Sequence, residues 1–376
     1  MIGLQSTRST EHLFMDKIIT NDLIYDLIFL YASPASILRL SRTCQPCFAA
    51  VQSYIPRAYN INRHLSRFFQ DPLAFRSLQA RTGTVVSGSN ALQFFDRSFY
   101  PESDLDIYIP PRYKVEVGEW LLSVGYKFVP NTQQKPTFEE AVNDQDTDDD
   151  GYEEGSGPYS MKGVSRVFTF TKPSHVDPSQ ELKVQAIVAS LTPMEIILLF
   201  HSTCVINAIT WDKAYCFYPK GTLEDRRSLV CRANGPNQEE AQQKYAARGW
   251  DVSPKLLTTG PDGSDPAFPI GPRFVGDRQT WTIPLNVDGV TPPAPNTPLS
   301  RPLSTDAISC SGWRLHSYRP AIDQTEMIFE LLKGPSRLAF SYVFLPREAV
   351  KVTQMLEKQY TPTKHGGSSD HQDGIR

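Results

Sequence analysis

The stretch 87-SGSNALQFFDRSFYPESDLDIYIP-110 decides how this chain is read, because it ends in a strand-forming run carrying two aspartates, Asp104 and Asp106, two positions apart. Side chains alternate across a strand, so both carboxylates share one face while Leu105, Ile107 and Ile109 fill the other. Like charges side by side are unfavourable without a cation. The alternative is an exposed edge strand that carries its charges for solubility.

The neighbouring residues favour a bound cation. Residues 84–87 (TVVS) predict a short β-branched strand, Gly88-Ser89 a turn, 90–97 a helix, 103–109 the acidic strand and 114–124 another helix. Each part has a physical job if the ligand is a nucleoside triphosphate. Gly88 lets the backbone approach a phosphate closely, and Ser89 with the amides of a helix start can hydrogen-bond it. Two carboxylates about 6.5 to 7 Å apart along a strand can hold divalent ions. Hard oxygen ligands suit Mg2+ or Mn2+, and a pair of such ions can clamp an in-line phosphoryl displacement.

With its Val86-Ser87-Gly88-Ser89 run, a gap, and Ser103-Asp104-Leu105-Asp106-Ile107, the segment 82–210 resembles the DNA polymerase beta-like nucleotidyltransferases. The resemblance implies a mixed sheet with flanking helices, a nucleotide held at Gly88 and Ser89, and metal held by Asp104 and Asp106. It also implies a third carboxylate from a later strand. In 182-LKVQAIVA-189 that position falls on Gln185, whose neutral amide does not replace a carboxylate's charge. Catalysis is therefore in doubt while nucleotide binding survives. Glu181 lies four positions before Gln185 and points elsewhere along the sheet.

N-terminal to this segment, residues 18–59 predict helices. Ile19, Leu23, Ile24, Leu27 and Ile28 recur at helical spacing, Ser33-Pro34 restarts the helix, and Ile37, Leu40, Cys44, Phe48 and Val51 continue the apolar stripe. This run resembles an F-box, the helical module that docks on the adaptor of SCF-type ubiquitin ligases. It departs in having Thr20 where the family has proline, and Phe48 where an aromatic, often tryptophan, is expected. Together the two segments resemble fungal proteins that join an F-box to a nucleotidyltransferase-like domain.

Weaker signals read as structure. In 44-CQPC-47 a helical pattern precedes the cysteines, unlike a thioredoxin-type redox pair, so the motif reads as two small apolar residues flanking Pro46. Pro193 opens an apolar helix, MEIILLFHSTCVINA, on which His201 and Cys204 share a face as core residues rather than metal ligands. Arg226 and Arg227 read as a solvated helix end. Asp146, Asp148, Asp150 and Gly151 match half of an EF-hand loop, but Gly157 stands where its bidentate Glu belongs.

Composition sets the outer limits. The net charge is −3, with seven acids inside residues 144–154, so the remainder lacks the basic excess of a general nucleic-acid binder, although nucleic acid is not excluded. Six scattered cysteines suit a reducing compartment, and no apolar run is long enough for a membrane span, which points to cytoplasm or nucleus. The fold expected is α+β. A helical module (1–60) and connector (61–81) precede a nucleotidyltransferase-like domain (82–230) with an acidic disordered insertion (131–160). A C-terminal α/β extension (231–363) with a Pro-rich loop (286–302) and a disordered tail (364–376) follow. The function expected is nucleoside triphosphate binding with Mg2+ or Mn2+ at Gly88, Ser89, Asp104 and Asp106. The alternative is an SCF substrate receptor docking its adaptor through 18–59.

Overall fold

The computed structural model describes residues 14–144, 161–175, 177–231, 238–260, 262–293, 308–318, 325–332 and 340–345. The acidic run 145–160, the second half of the Pro-rich loop, the end of the C-terminal extension after residue 345 and the tail lie outside the described residues.

A mixed eight-stranded sheet organises the chain, in the order β11-β7-β6-β1-β2-β5-β4-β3. Its strands are β1 (Val85–Ser87), β2 (Leu105–Ile109), β3 (Lys127–Val129), β4 (Val164–Pro173), β5 (Glu181–Ala189), β6 (Asn207–Ile209), β7 (Lys213–Cys216) and β11 (Trp281–Pro284). Only β2 and β5 pair in parallel within it; the other pairings are antiparallel. Period-two alternation assigns its faces. Val86, Leu105, Ile107, Ile109, Val184, Ala186 and Val188 enter one core, with Phe75, Phe94, Phe95 and Leu121 from helices. Val85, Tyr108, Ile187 and Ala189 enter the other, with Phe200, Tyr245, Phe268 and Trp313.

Three helices cover the first face: α6 (Pro72–Thr82), α7 (Gly88–Asp96) and α8 (Lys114–Ser123). A further helix, α9 (Phe138–Asn143), lies where the sequence predicts the start of a disordered insertion. Phe138, Ala141 and Val142 recur at helical spacing and are buried, and Gly118 of α8 makes room for the Phe138 ring, which a Cβ there would meet at 1.9 Å. The apolar stretch after Pro193 also differs from its expected single helix. Helix α10 (Pro193–Leu198) stops early, a 3-10 turn spans Thr203–Val205, and the following residues become β6 between β1 and β7. Sheet pairing takes the hydrogen-bonding groups a longer helix would need. His201 and Cys204 therefore do not share a helix face; His201 Nδ1 bonds Ser202 Oγ at 2.7 Å.

The N-terminal module consists of a π-helical turn, α1 (Phe14–Ile19), and the helices α2 (Asp22–Tyr31), α3 (Pro34–Leu40) and α4 (Gln45–Ala58). As expected, Ser33 caps α3 and Pro34 begins it. The buried face of α2 is not the expected one. Tyr25 and Phe29 pack inward, with Phe29 edge-on to Tyr54 at 5.2 Å, while Leu23, Ile24, Leu27, Ile28, Leu30 and Tyr31 are exposed. Because α2 is apolar nearly all round, its periodicity does not choose the buried face, and the aromatics fill the gap against α4. Arg97, at the end of α7, fastens this module by donating to Phe29 O (2.8 Å), Ala32 O (2.8 Å) and Tyr54 OH (2.7 Å). Glu224 fastens the start of α3 beside it, accepting from Ser33 Oγ (2.6 Å) and Ala35 N (2.8 Å). A short connector helix, α5 (Ile61–Leu65), links α4 to α6.

The C-terminal region packs over the second face. It contains α11 (Gln238–Ala247), the parallel pair β8 (Arg227–Leu229) and β9 (Asp251–Ser253), and a three-stranded sheet of β10 (Gly271–Phe274), β12 (Gly312–Ser317) and β13 (Thr325–Ile328). Trp313 is fully buried and donates to Tyr218 OH at 3.0 Å. Arg226 and Arg227 are structural rather than solvated: Arg226 pairs with Asp96 and stacks over Trp250, and Arg227 pairs with the buried Asp265. No helix among the described residues is long and apolar enough to cross a membrane.

Candidate functional site

Strand β1 delivers the chain to Gly88, which has φ +65 and opens α7. That backbone angle favours glycine, and so does the space: a Cβ at Gly88 would sit 3.1 Å from Asp106 Oδ2. Ser89 Oγ lies 3.0 Å from Ser103 Oγ, and Gln93 Nε2 donates to the same Ser103 hydroxyl at 2.9 Å. These contacts tie the start of α7 to the residue preceding Asp104. Gly88, Ser89, Asp104 and Asp106 thus converge on one end of β1 and β2.

The parallel register of β2 and β5 sets Asp106 level with Gln185, and Lys183, two residues earlier on β5, reaches Asp104. The four side chains share the sheet face that carries Tyr108 and Ile187. Lys183 Nζ lies 2.8 Å from Asp104 Oδ2, each side chain about one third exposed at 37% and 34%. Oriented to satisfy both its ends, the Gln185 amide donates to Asp106 Oδ1 at 3.2 Å and accepts from Lys183 Nζ at 3.2 Å. On the other side of β5, Thr169 of β4 stands opposite Gln185 and Thr171 opposite Lys183. Glu181 pairs across from Pro173 at the exposed start of the strand.

Burial pushes the Asp106 carboxyl up to about 7, the Asp104 charge adds to the rise, and Lys183 and Lys244 oppose it. Lys244 is an exposed residue of α11, the helix whose Tyr245 stacks near His201 (5.6 Å) behind the site. Burial, with Lys244 adding, pulls the His201 imidazole down to about 4, so it is neutral at pH 7. Arg248, just past α11, closes the corner by pairing with Glu102 at 2.6 Å and lying over the Tyr100 ring at 3.7 Å.

The donor set fits a divalent cation poorly as it stands. Of two carboxylates, one is engaged by an ammonium and the other takes up a proton near neutrality, and the third member is an amide. Hard cations need charged oxygen ligands, and a fixed ammonium beside them competes for the same charge. The described residues contain no group of three His, Cys, Asp or Glu side chains arranged to hold a metal. Sequence reasoning names Gly88, Ser89, Asp104, Asp106 and Gln185, which the structure brings together, and does not name Lys183 or Lys244. Lys183 had a signal, since strand alternation puts it on the face of Gln185. Lys244 had none, because α11 is distant in the chain.

No protein-family model matches this chain, and no curated protein or solved structure matches it.

Proposed function

We propose that this is a nucleotidyltransferase-like protein that retains the Gly88-Ser89 turn and the Asp104/Asp106 pair as a nucleoside triphosphate site, with little or no nucleotide transfer. The Asp104–Lys183 ion pair carries this reading. A tethered ammonium supplies the positive charge that the carboxylates need, so Mg2+ or Mn2+ binds only by displacing it. Gln185 leaves the acceptor hydroxyl without the third negative charge that would favour its deprotonation. Losing such an electrostatic contribution costs about 3 kcal/mol in a transition state, or roughly a hundredfold in rate.

Calorimetric titration with MnCl2, with and without ATP or GTP, tests the reading. Wild-type protein is expected to bind Mn2+ weakly, and Lys183→Met to bind it about tenfold tighter or more, since an uncompensated carboxylate pair attracts a cation strongly. Tightening should be greatest in Lys183→Met combined with Gln185→Asp. Affinity should also rise about tenfold from pH 6 to pH 8, as Asp106 loses a proton with its pKa near 7 and stops competing with the metal. Robust incorporation of labelled nucleotide by the wild-type chain, abolished by Asp104→Ala, would overturn the proposal.

A second reading has its own observation. Six of the ten residues of α2 are large apolar side chains left exposed, with Leu23 78% and Tyr31 88% exposed. Leu23, Leu27 and Leu30 line a cleft of about 660 Å³ together with Arg63, Arg67 and Phe99. A helix with such a face is built to be covered. We infer that α2 docks an SCF-type adaptor, which would make the chain a substrate receptor with the sheet domain as its recognition surface. The full-length protein should co-purify with the adaptor. Leu23→Asp should eliminate capture without lowering stability, because Leu23 makes little contact within the fold. Undiminished capture by that variant would remove α2 from the interface.

A further inference from the structure

The cysteines of 44-CQPC-47 occupy the first turn of α4, a fourteen-residue helix with no acidic side chain in that turn. Cys44 is its N-cap, extended at φ −161 and ψ 167, and is exposed; Cys47 lies three residues on, buried in the core of the helical module. Their spacing brings cap and third helical residue together. Cys44 makes no cap hydrogen bond of ordinary geometry, although the Cys47 N–H and thiol lie close enough to act on its sulfur, and Thr43 Oγ1 donates to Cys44 Sγ at 3.9 Å. Pro46 lies in the first turn, where the missing N–H costs no helical bond. Of the six cysteines in the chain, Cys44 alone is exposed, and Cys204, Cys216 and Cys231 are buried.

We propose that Cys44 and Cys47 form a redox-active dithiol that exchanges with low-molecular-weight disulfides. The Cys44 thiolate attacks one sulfur of a disulfide RSSR, breaking its S–S bond and forming Cys44–S–SR; the thiolate RS⁻ that leaves takes a proton from water. Cys47 then gives up its proton to solvent and attacks Cys44 Sγ, expelling the second RS⁻, which is protonated in turn. The protein dithiol is oxidised by two electrons to a Cys44–Cys47 disulfide, and RSSR is reduced to two RSH.

The order of attack follows from position. Cys44 is open to solvent, and the Cys47 N–H, then the Cys47 thiol, hold its pKa below the ordinary thiol value against slight burial. Burial pushes the Cys47 thiol up, so it serves as the resolving group once the mixed disulfide sits beside it. The new bond would clip the first turn of α4 next to Ile37, Phe29 and Val51, the residues that seat α2 and α3 on α4.

The test incubates the full-length protein with glutathione disulfide, quenches in acid, alkylates remaining thiols and weighs the tryptic peptide 43–57, which carries both cysteines. Wild-type peptide is expected to lose two hydrogens and to recover them on incubation with reduced glutathione. Cys47→Ser should instead accumulate a glutathione adduct on Cys44, with Cys47→Ala giving the same result should serine disturb the core. Cys44→Ser should leave Cys47 alkylatable. A wild-type peptide that stays fully alkylatable, or that stops at the adduct with Cys47 unreacted, would overturn the proposal and leave the cysteines as packing residues flanking Pro46.

Discussion

Asp265→Ala is expected to lower global stability by about 3–5 kcal/mol, the cost of breaking a buried ion pair from one side. The Asp265 side chain is 1% exposed and accepts from Arg227 through both oxygens, at 3.1 and 2.7 Å. It also accepts from Leu257 N at 2.8 Å and Ala267 N at 3.0 Å. Removing it strands a guanidinium that lies over the Phe268 ring, together with two backbone donors. Burial raises the Asp265 pKa, but the Arg227 bonds and the two backbone N–H groups outweigh it, leaving the carboxyl below its ordinary value. A depressed carboxyl stabilises the fold above its unfolded pKa, and that contribution is lost as pH falls through the folded value. The gap between wild type and variant should therefore be full at pH 7 and narrow below about pH 4. Urea unfolding with an unchanged slope measures it; a midpoint shift worth less than about 1 kcal/mol would mean that this carboxylate does not hold the C-terminal region in place.

The second large effect concerns how the helical module is seated. Arg97→Ala removes three hydrogen bonds to Phe29 O, Ala32 O and Tyr54 OH, together with the contact of the guanidinium over the Tyr59 ring at 5.8 Å. Bonds to a charged donor contribute about 1.5–3 kcal/mol each, but three on one group do not add, so about 3 kcal/mol is expected. The loss should be local. Hydrogen exchange should quicken about a hundredfold in α2 and α3 while the amides of β1, β2 and β5 keep their protection. Arg97→Lys should restore part of it, since one ammonium reaches fewer of the three acceptors. Uniform quickening across the sheet would show that the module and the sheet unfold as one unit.

Much of the sheet site was readable because a strand has a rigid period. Two aspartates separated by Leu105 must share a face, and Gln185 between Val184 and Ala186 must share theirs once β5 pairs with β2. The same rule makes Lys183 readable, since it stands two positions before Gln185 on the same strand. Elsewhere the local pattern was ambiguous. Helix α2 is apolar nearly all round, broken only by Asp22 and Asp26, so packing against Tyr54 rather than periodicity turns Tyr25 and Phe29 inward. The end of α10 depends on the pairing of Ala208 with Ser87, a contact between segments over a hundred residues apart that no local window contains. The helix at Phe138 did carry a signal, three apolar residues at helical spacing, which the adjoining acidic run obscured.

The outermost strand of the large sheet, β11, comes from residues 281–284, nearly two hundred positions after β1 opens the sheet. During synthesis the ribosome releases β1, β2, β5, β6 and β7 long before it releases their last neighbour. Over that interval β7 presents the backbone groups of Ala214 to Cys216 with no strand to receive them, and Trp281 is not yet present to close against Tyr59. An unpaired edge of this kind recruits strands from other chains. The nascent protein therefore has a defined window of exposure to aggregation, and a message truncated anywhere between β7 and β11 makes that window permanent.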